Sequence, residues 1–186
     1  DGQVRKLNNK SKLDFNAIAK GYAVDVISEF LNSKSIEDYM VDIGGEIRTS
    51  GKNQLRDMFW SIAIENPIPN KSDDKFYKKI TLQNAAIATS GNYRNFRNDS
   101  VTGKKYVHII NPINGQFEQT NIFSVSVLSK SCFVSDAFAT AMMACSLDYA
   151  KKLTKENDEI ESMIIYLDDN DELKSFISEG FQENVF

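Results

Sequence analysis

The sequence predicts an α+β domain with a mostly antiparallel sheet and two or three packed helices. Short segments with strand-like alternation recur along the chain, and several are separated by turns of hairpin length. Helical spacing of apolar residues is confined to isolated stretches. Runs of strands interrupted by single helices are typical of α+β domains rather than of a doubly wound sheet. The 186 residues, 41% of them hydrophobic, suit one domain with a real core.

The N-terminal part predicts a short strand over residues 12–15, followed by a helix. Asn16 is a plausible N-cap, because its side chain can accept a hydrogen bond from a free amide of the first turn. The helix is expected to end near residues 32–34. Its apolar residues fall at i, i+3, i+4, i+7 and i+8 on one helical face: Ala23, Val26, Ile27, Phe30 and Leu31.

The remainder of the chain alternates between strand patterns and two further helical stretches. Residues 132–145 are rich in Ala and Met without a helix breaker, which predicts a largely buried helix, and residues 148–155 are also helical. Pro67 and Pro69 mark a loop that runs to residue 74. Strands are predicted at residues 39–43, 46–50, 59–65, 80–82, 86–89, 105–110, 121–128, 162–167 and 173–177, with turns at 44–45, 111–115 and 168–171.

Composition excludes several functional classes. The net charge is −4 and no basic block is present, so the chain lacks the clustered Lys and Arg that nucleic-acid binding requires. No apolar run approaches the roughly 20 residues that a membrane span needs. Cys132 and Cys145 are too far apart on a helix for a disulfide, and both are predicted to be small buried hydrophobes. A single histidine and two cysteines are too few ligands for a structural zinc site.

Two patterns are candidates for catalysis and metal binding. His108, the single histidine, ends a predicted strand just before an Asn-Pro turn and could act as a general base, or could be an ordinary core histidine. Asp136 and Thr140 lie at i and i+4 on the buried helix and therefore share a face. One carboxylate and one hydroxyl suit Mg²⁺, which keeps waters and accepts phosphate oxygens as ligands. Asp136 could instead be a helix-start acid that favours the dipole.

Three further segments could contact an anionic ligand. Residues 16–21 open the first long helix, where free amides and Lys20 could bind an anion, although an ordinary helix start with a solvated Lys explains them equally. Gly44-Gly45 and Ser90-Gly91 could be simple turns, or places where a ligand approaches the backbone closely. The chain has no GxGxxG motif, which disfavours a Rossmann nucleotide site.

Taken together, five ordered blocks resemble the signatures of ApbE-type FAD:protein FMN transferases. The first block, LDFNAIAKGYAVD, resembles the family's helix-start signature, and DYMVDIGGEIR resembles its hairpin. Phe15-Asn16-Ala17 stands where Leu-Ser-Gly is common, which is a mild change because Asn also caps helices. The five blocks span residues 13–25, 38–48, 88–93, 108–115 and 135–141.

The resemblance implies a role for each matching residue. Metal ligation by the side chains of Asp136 and Thr140 and by the carbonyl of Ala17 is implied, with Mg²⁺ as the metal. Flavin-nucleotide contacts are implied for Asp14 and Lys20. A functionally important histidine is implied at His108, and walls of the same cleft are implied at Gly44, Gly45, Ser90 and Gly91.

The implied reaction is the transfer of FMN from FAD to a Ser or Thr hydroxyl of a partner protein, with release of AMP. An Mg²⁺-dependent FAD pyrophosphatase would use the same site with water as the acceptor, and a flavin-binding protein without turnover is the third alternative. The resemblance implies one flavin transferase domain over residues 1–186, lacking part of the family's N-terminal length. It also implies a redox-subunit acceptor and a periplasmic, lipoprotein-anchored location at the bacterial envelope.

Overall fold

The structure is a computed structural model that describes residues 4–68, 75–91, 96–98, 105–107 and 121–186. Four helices and ten strands lie within these ranges. In chain order they are α1 (Ala19–Ser33), β1 (Tyr39–Ile43), β2 (Glu46–Ser50), β3 (Trp60–Glu65), β4 (Phe76–Leu82), β5 (Ala86–Gly91), β6 (Phe96–Asn98), β7 (Lys105–Val107), β8 (Ile122–Ser129), α2 (Cys132–Met143), α3 (Leu147–Glu156), β9 (Glu161–Leu167), β10 (Leu173–Ile177) and α4 (Glu179–Gln182).

A six-stranded sheet forms the centre of the domain. Its strand order is β1-β2-β5-β8-β9-β10, and every neighbouring pair is antiparallel. The strands β3 and β4, and likewise β6 and β7, form two separate two-stranded antiparallel sheets that are not hydrogen-bonded into the central sheet. The predicted α+β class with a mostly antiparallel sheet is therefore confirmed.

Both faces of the central sheet are covered. On one face α2 and α3 pack against β8 and β9, around Val125, Val127 and Ile164, while α1 covers β1 and β2. On the other face the β3–β4 pair and α4 pack against the sheet, and Ile80 of β4 and Phe181 of α4 are buried in this contact. Coverage on both faces explains why β9 is buried continuously from residue 162 to 165, since neither set of alternating side chains faces water.

The start of α1 differs from the prediction. Residues 12–15 form no strand, because no neighbouring strand among the described residues offers them a hydrogen-bonding partner. The carboxylate of Asp14 instead accepts the Asn16 amide at 2.8 Å, which fixes a turn. The helix begins only at Ala19, and the N-cap position is held by Ile18 without a side-chain hydrogen bond. The predicted N-cap role of Asn16 is wrong.

The apolar stripe of α1 is not its buried face. Val26, Ile27 and Phe30 are each more than 40% exposed. The buried residues of the helix are Gly21, Val24, Asp25 and Ser28. Gly21 and Asp25 are buried against α2, while Val24 joins the hydrophobic cluster with β1, so the periodicity of the predicted stripe does not by itself identify the inward face.

Most other predicted elements are confirmed within two or three residues, and some are corrected. Helix α2 ends at Met143, so Cys145 lies beyond it, half-buried. The sequence did not predict the short elements α4 and β6. The predicted strand over 105–110 is observed at 105–107, and its remainder, the 111–115 turn and most of the 67–74 loop lie outside the described residues.

Gly21 sets how closely the two main helices approach. A Cβ atom on Gly21 would overlap the Cys132 carbonyl oxygen and lie 2.8 Å from the Cβ of Asp136. Both neighbours are parts of α2 that cannot rotate away. The absence of a side chain at residue 21 is therefore a condition of the observed crossing.

We expect Gly21→Ala to lower the free energy of unfolding by about 1–3 kcal/mol, because α2 must be displaced. This loss should appear although Ala is intrinsically the better helix former by about 1 kcal/mol. Urea denaturation measures it. Glu29→Ala, at an exposed position of the same helix, is the control and should change stability by less than about 0.5 kcal/mol. A Gly21→Ala protein as stable as wild type would contradict the packing argument.

Candidate functional site

A cleft of about 1130 Å³ opens where the start of α1, the β1–β2 turn, the end of β5 and the middle of α2 meet. Strand β3 closes one side of it. All the predicted site residues that the structure describes line this cleft: Asp14, Ala17, Lys20, Gly44, Gly45, Ser90, Gly91, Asp136 and Thr140. Segments far apart in sequence thus supply one wall of polar groups.

The carboxylate of Asp136 bonds to the start of α1. Its Oδ2 accepts the amide of Gly21 at 2.9 Å, and the side chain is buried. In a helix that began one turn earlier, this amide would donate to the carbonyl of Ala17. In the part of the chain that the structure describes, no hydrogen bond reaches the Ala17 carbonyl. The Asp136–Gly21 bond thereby takes the amide that would otherwise reach the Ala17 carbonyl.

Thr140 lies one helical turn after Asp136 and faces β5. Its hydroxyl is 3.2 Å from the hydroxyl of Ser90, and either group could donate. Ser90 stands near the end of β5, followed by Gly91. The contact fixes the Thr140 side chain beside the cleft, with one oxygen lone pair available to a ligand.

The cleft wall has the donor types that suit Mg²⁺: a carboxylate, a hydroxyl and a main-chain carbonyl. Burial raises the pKa of the Asp136 carboxyl, against the lowering effects of the Gly21 amide and Lys20. A cation bound there would offset the cost of the buried charge. No group of three or more His, Cys, Asp or Glu side chains suited to a metal occurs among the described residues, so such a site would have few acidic ligands.

Lys20 and Glu46 form an ion pair at the edge of the cleft. The Lys20 ammonium is 2.6 Å from Oε1 of Glu46, and the Lys20 side chain is half exposed while that of Glu46 is buried. Burial raises the pKa of the Glu46 carboxyl, against the opposing effect of Lys20. The cation at this wall is therefore held by a carboxylate from the β1–β2 hairpin.

The double-glycine turn between β1 and β2 has a left-handed backbone. Gly44 and Gly45 have φ angles of +63° and +96°, which side-chain-bearing residues adopt only with strain. The Gly45 amide donates to Oδ1 of Asp42 at 2.9 Å, closing the turn. The turn geometry alone accounts for both glycines, and the absent side chains also leave the backbone open to the cleft.

A second buried carboxylate, that of Asp25, holds the start of α2. Its oxygens accept the amides of Cys132 and Phe133 at 3.0 and 2.9 Å, the hydroxyl of Ser131 at 2.7 Å and the guanidinium of Arg48 at 2.7 Å. Burial would raise the pKa of Asp25, but these four donors outweigh burial and hold the pKa below its ordinary value. Asp25 thus joins α1, α2 and β2.

Sequence reasoning missed three residues of this region. Asp25, Glu46 and Arg48 stand inside the recognised blocks, but an acid or an arginine in a motif gives no sign that it is buried. Their partners are distant in sequence, which local patterns cannot reveal. His108, the predicted general base, lies outside the described residues. The roles assigned to the residues of the cleft stay predictions.

The two cysteines are free, as predicted. Cys132 is fully buried at the start of α2, and burial raises its pKa strongly. Cys145 is only half-buried, which differs from the predicted buried hydrophobe, and burial raises its pKa to about 11. Neither thiol is therefore a reactive thiolate at neutral pH. Among the described residues, no helix is both long and apolar enough to cross a bilayer.

The fold and the cleft together define an α+β domain with an oxygen-lined ligand site at the crossing of two helices. Within that class the chain belongs to the ApbE family, whose model matches residues 1–164. It is 40% identical to the FAD:protein FMN transferase of Vibrio cholerae over 91% of this chain and 49% of that protein. It is 34% identical to the FAD:protein FMN transferase of Haemophilus influenzae, over 88% of this chain and 46% of that protein.

Solved structures of the family share the fold. The flavin transferase ApbE from Vibrio cholerae aligns with a TM-score of 0.78 and 37% identity, covering 92% of this chain and 52% of that one. The ApbE protein from Thermotoga maritima aligns with a TM-score of 0.75 and 28% identity, covering 93% and 53%. The family resemblance seen in the five sequence blocks is confirmed. The chain spans about half the length of the relatives it matches.

Asp25 generates a pH-dependent prediction. Because its pKa is lowered in the folded state, its contribution to stability is present above the unfolded pKa of about 4 and is lost as pH falls through the folded value. We expect Asp25→Asn to lower the free energy of unfolding by about 2–4 kcal/mol at pH 7, because Arg48 and two helix amides lose a charged acceptor. The difference from wild type should shrink below pH 4.

Urea denaturation of both proteins at pH 7 and at pH 3 measures the effect. Asp158→Asn, at an exposed loop acid, serves as the matched control and should stay within about 0.5 kcal/mol of wild type at both values. An Asp25→Asn deficit of equal size at pH 3 and pH 7 would show that the carboxylate charge is not what holds α2.

Proposed function

We propose that this chain carries a site for Mg²⁺-dependent transfer of FMN from FAD to a Ser or Thr hydroxyl of a target protein, with release of AMP. The proposal depends on one observation. Ala17, Asp136 and Thr140, which offer a carbonyl, a carboxylate and a hydroxyl, line one cleft together with Lys20. Relatives that cover most of this chain are named FAD:protein FMN transferases, which supports the same reaction here.

Charge balance supports a divalent cation in this reaction. Among the described residues, the cleft wall carries one cation, Lys20, beside the carboxylates of Asp14, Asp42 and Asp136. The pyrophosphate of FAD is itself anionic, so a cleft with this balance would repel it. Mg²⁺ held by Asp136 would supply positive charge next to the phosphoryl oxygens.

The residues at the start of α1 bind and orient the nucleotide in this proposal. Lys20 contacts the phosphate oxygens, and the positive end of the α1 dipole favours the same charge. Stabilising donors that are already in place when negative charge develops lower the barrier, because they need no reorganisation. The open turn at Gly44 and Gly45 lets the ligand lie close to the backbone.

The chemical step forms one phosphorus–oxygen bond and breaks another. The acceptor hydroxyl oxygen attacks the phosphorus on the riboflavin side, and AMP leaves with the bridging oxygen. In the proposal His108 takes the hydroxyl proton as general base. The sequence is the only support for that role, because His108 lies outside the described residues.

The acceptor and the location extend the proposal. We place the Ser or Thr on a redox subunit at the periplasmic side of the bacterial envelope, where a lipid anchor would hold the transferase. This part is supported by the family resemblance alone. Fractionation of the native host, with detection of this chain in the envelope fraction, would test it.

A flavinylation assay tests the reaction. The chain is mixed with FAD, Mg²⁺ and a candidate acceptor domain, and the intact mass of the acceptor is recorded. We expect a gain of one FMN, its loss with EDTA and its return with added Mg²⁺. Asp136→Asn keeps an acceptor for the Gly21 amide but removes the charge, so the rate should fall on the order of 100-fold or more. His108→Ala should also abolish the mass gain.

Asp148→Asn is the matched control, since it is the same substitution at an exposed helix position on α3. Its rate should equal that of wild type. Release of FMN and AMP with an unmodified acceptor would instead support the pyrophosphatase. Should FAD bind without any turnover, the flavin-binding alternative holds. Should FAD stay unbound and intact, also with a protein extended to the relatives' length, the proposal is wrong.

A further inference from the structure

Glu46 is a buried carboxylate without enough partners. It opens β2, directly after the double-glycine turn, and is 1% exposed. Its Oε1 bonds to the Lys20 ammonium at 2.6 Å. Its Oε2 is buried, and no donor among the described residues reaches it.

This arrangement costs the fold stability. A buried carboxylate loses several kcal/mol of hydration, and one half-exposed lysine offsets only part of that loss. Asp136 adds repulsion, and the pKa of Glu46 is raised by burial, the largest effect, and by this neighbour. An apolar side chain at residue 46 would serve packing equally well or better. The charge at this position therefore serves something other than the stability of the sheet.

Lys20 shows what the charge does. Its side chain has a flexible four-carbon stem and is half exposed, so the ammonium would otherwise sample a wide volume of solvent. The bond to Glu46 ties the ammonium to the hairpin side of the cleft, close enough to Asp136 to interact with that carboxylate. An ammonium has three N–H donors, and Glu46 uses one of them. Among the described residues the other two donors have no partner, so they are available to a ligand.

We propose that Glu46 is a positioning residue, which holds the Lys20 ammonium at the cleft wall beside Asp136 so that Lys20 meets the phosphate oxygens of the bound nucleotide. The inference rests on the proposed function, because it requires a phosphate ester in this cleft. It predicts that substitutions at residues 46 and 20 are coupled in their effect on nucleotide affinity. Without Lys20, Glu46 should affect this affinity only through the electrostatic repulsion between its carboxylate and the phosphates.

A double-mutant cycle tests this prediction. Four proteins are compared: wild type, Glu46→Gln, Lys20→Met and the double variant. The dissociation constant for FAD with Mg²⁺ is measured by calorimetry, and Tm is measured in parallel. We expect Glu46→Gln to weaken binding about 5- to 10-fold more in the wild-type background than in the Lys20→Met background, since contacting residues couple at about this level. The long-range electrostatic effect of removing the Glu46 charge is the same in both backgrounds, so it does not contribute to the difference between them.

A second variant separates position from charge. Glu46→Asp keeps the carboxylate but shortens the side chain by one methylene group, so the ammonium must move or lose its partner. We expect FAD binding to weaken by about 5-fold or more. Glu156→Gln, which removes a carboxylate from the exposed Lys152 pair on α3, is the control and should bind FAD like wild type.

The outcomes are distinct. The positioning role would be overturned if Glu46→Gln weakened FAD binding equally in both backgrounds, or if Glu46→Asp bound FAD with wild-type affinity. In either case, FAD binding by the wild-type protein would still support the proposed function. A change in Tm with no coupling in affinity would assign Glu46 a purely structural role. Absence of FAD binding by wild type would overturn the proposed function, and the inference with it.

Discussion

The crossing of α1 and α2 is the contact on which the rest of the site depends. Each helix gives a buried carboxylate to the start of the other: Asp136 of α2 accepts an amide of α1, and Asp25 of α1 accepts two amides of α2. Helix starts have unsatisfied amides and a positive dipole end, so both contacts satisfy donors and neutralise charge. Gly21 permits the close approach that brings these groups within hydrogen-bond distance.

The crossing also joins folding to the chemistry of the cleft. The amide taken by Asp136 is the one that would otherwise bond to the Ala17 carbonyl. One interaction thus fixes the helices and leaves that carbonyl without a hydrogen bond from the described residues. Asp25 places the first turn of α2, and the cleft-facing residues of α2 follow one and two turns later. A change at the buried crossing therefore alters the site without touching any ligand, which is how positioning residues act.

Two buried acids of this region carry their charge at a cost in hydration. Asp136 and Glu46 are both buried acids with pKa values raised mainly by burial, and each is only partly compensated by hydrogen bonds. Incompletely compensated buried charges lower stability. Positioning of Lys20 is the role that we propose for the charge of Glu46. Asp25 is the opposite case, because four donors hold its pKa low and its charge stabilises the fold. The contrast separates Asp25, whose charge is satisfied within the fold, from Asp136 and Glu46, whose charges are only partly compensated.

The sequence alone determined the α+β class, most strands, the family and the described residues that meet in the cleft, because hairpin alternation and the five blocks are local patterns. It did not determine the start of α1, the buried face of that helix or the partners of Asp25 and Glu46. Burial depends on which segments pack together, and the bonds of Asp25 to α2 join residues more than 100 positions apart. Only the tertiary structure decided these features, since a hydrogen bond between distant residues leaves no periodic signal in either segment.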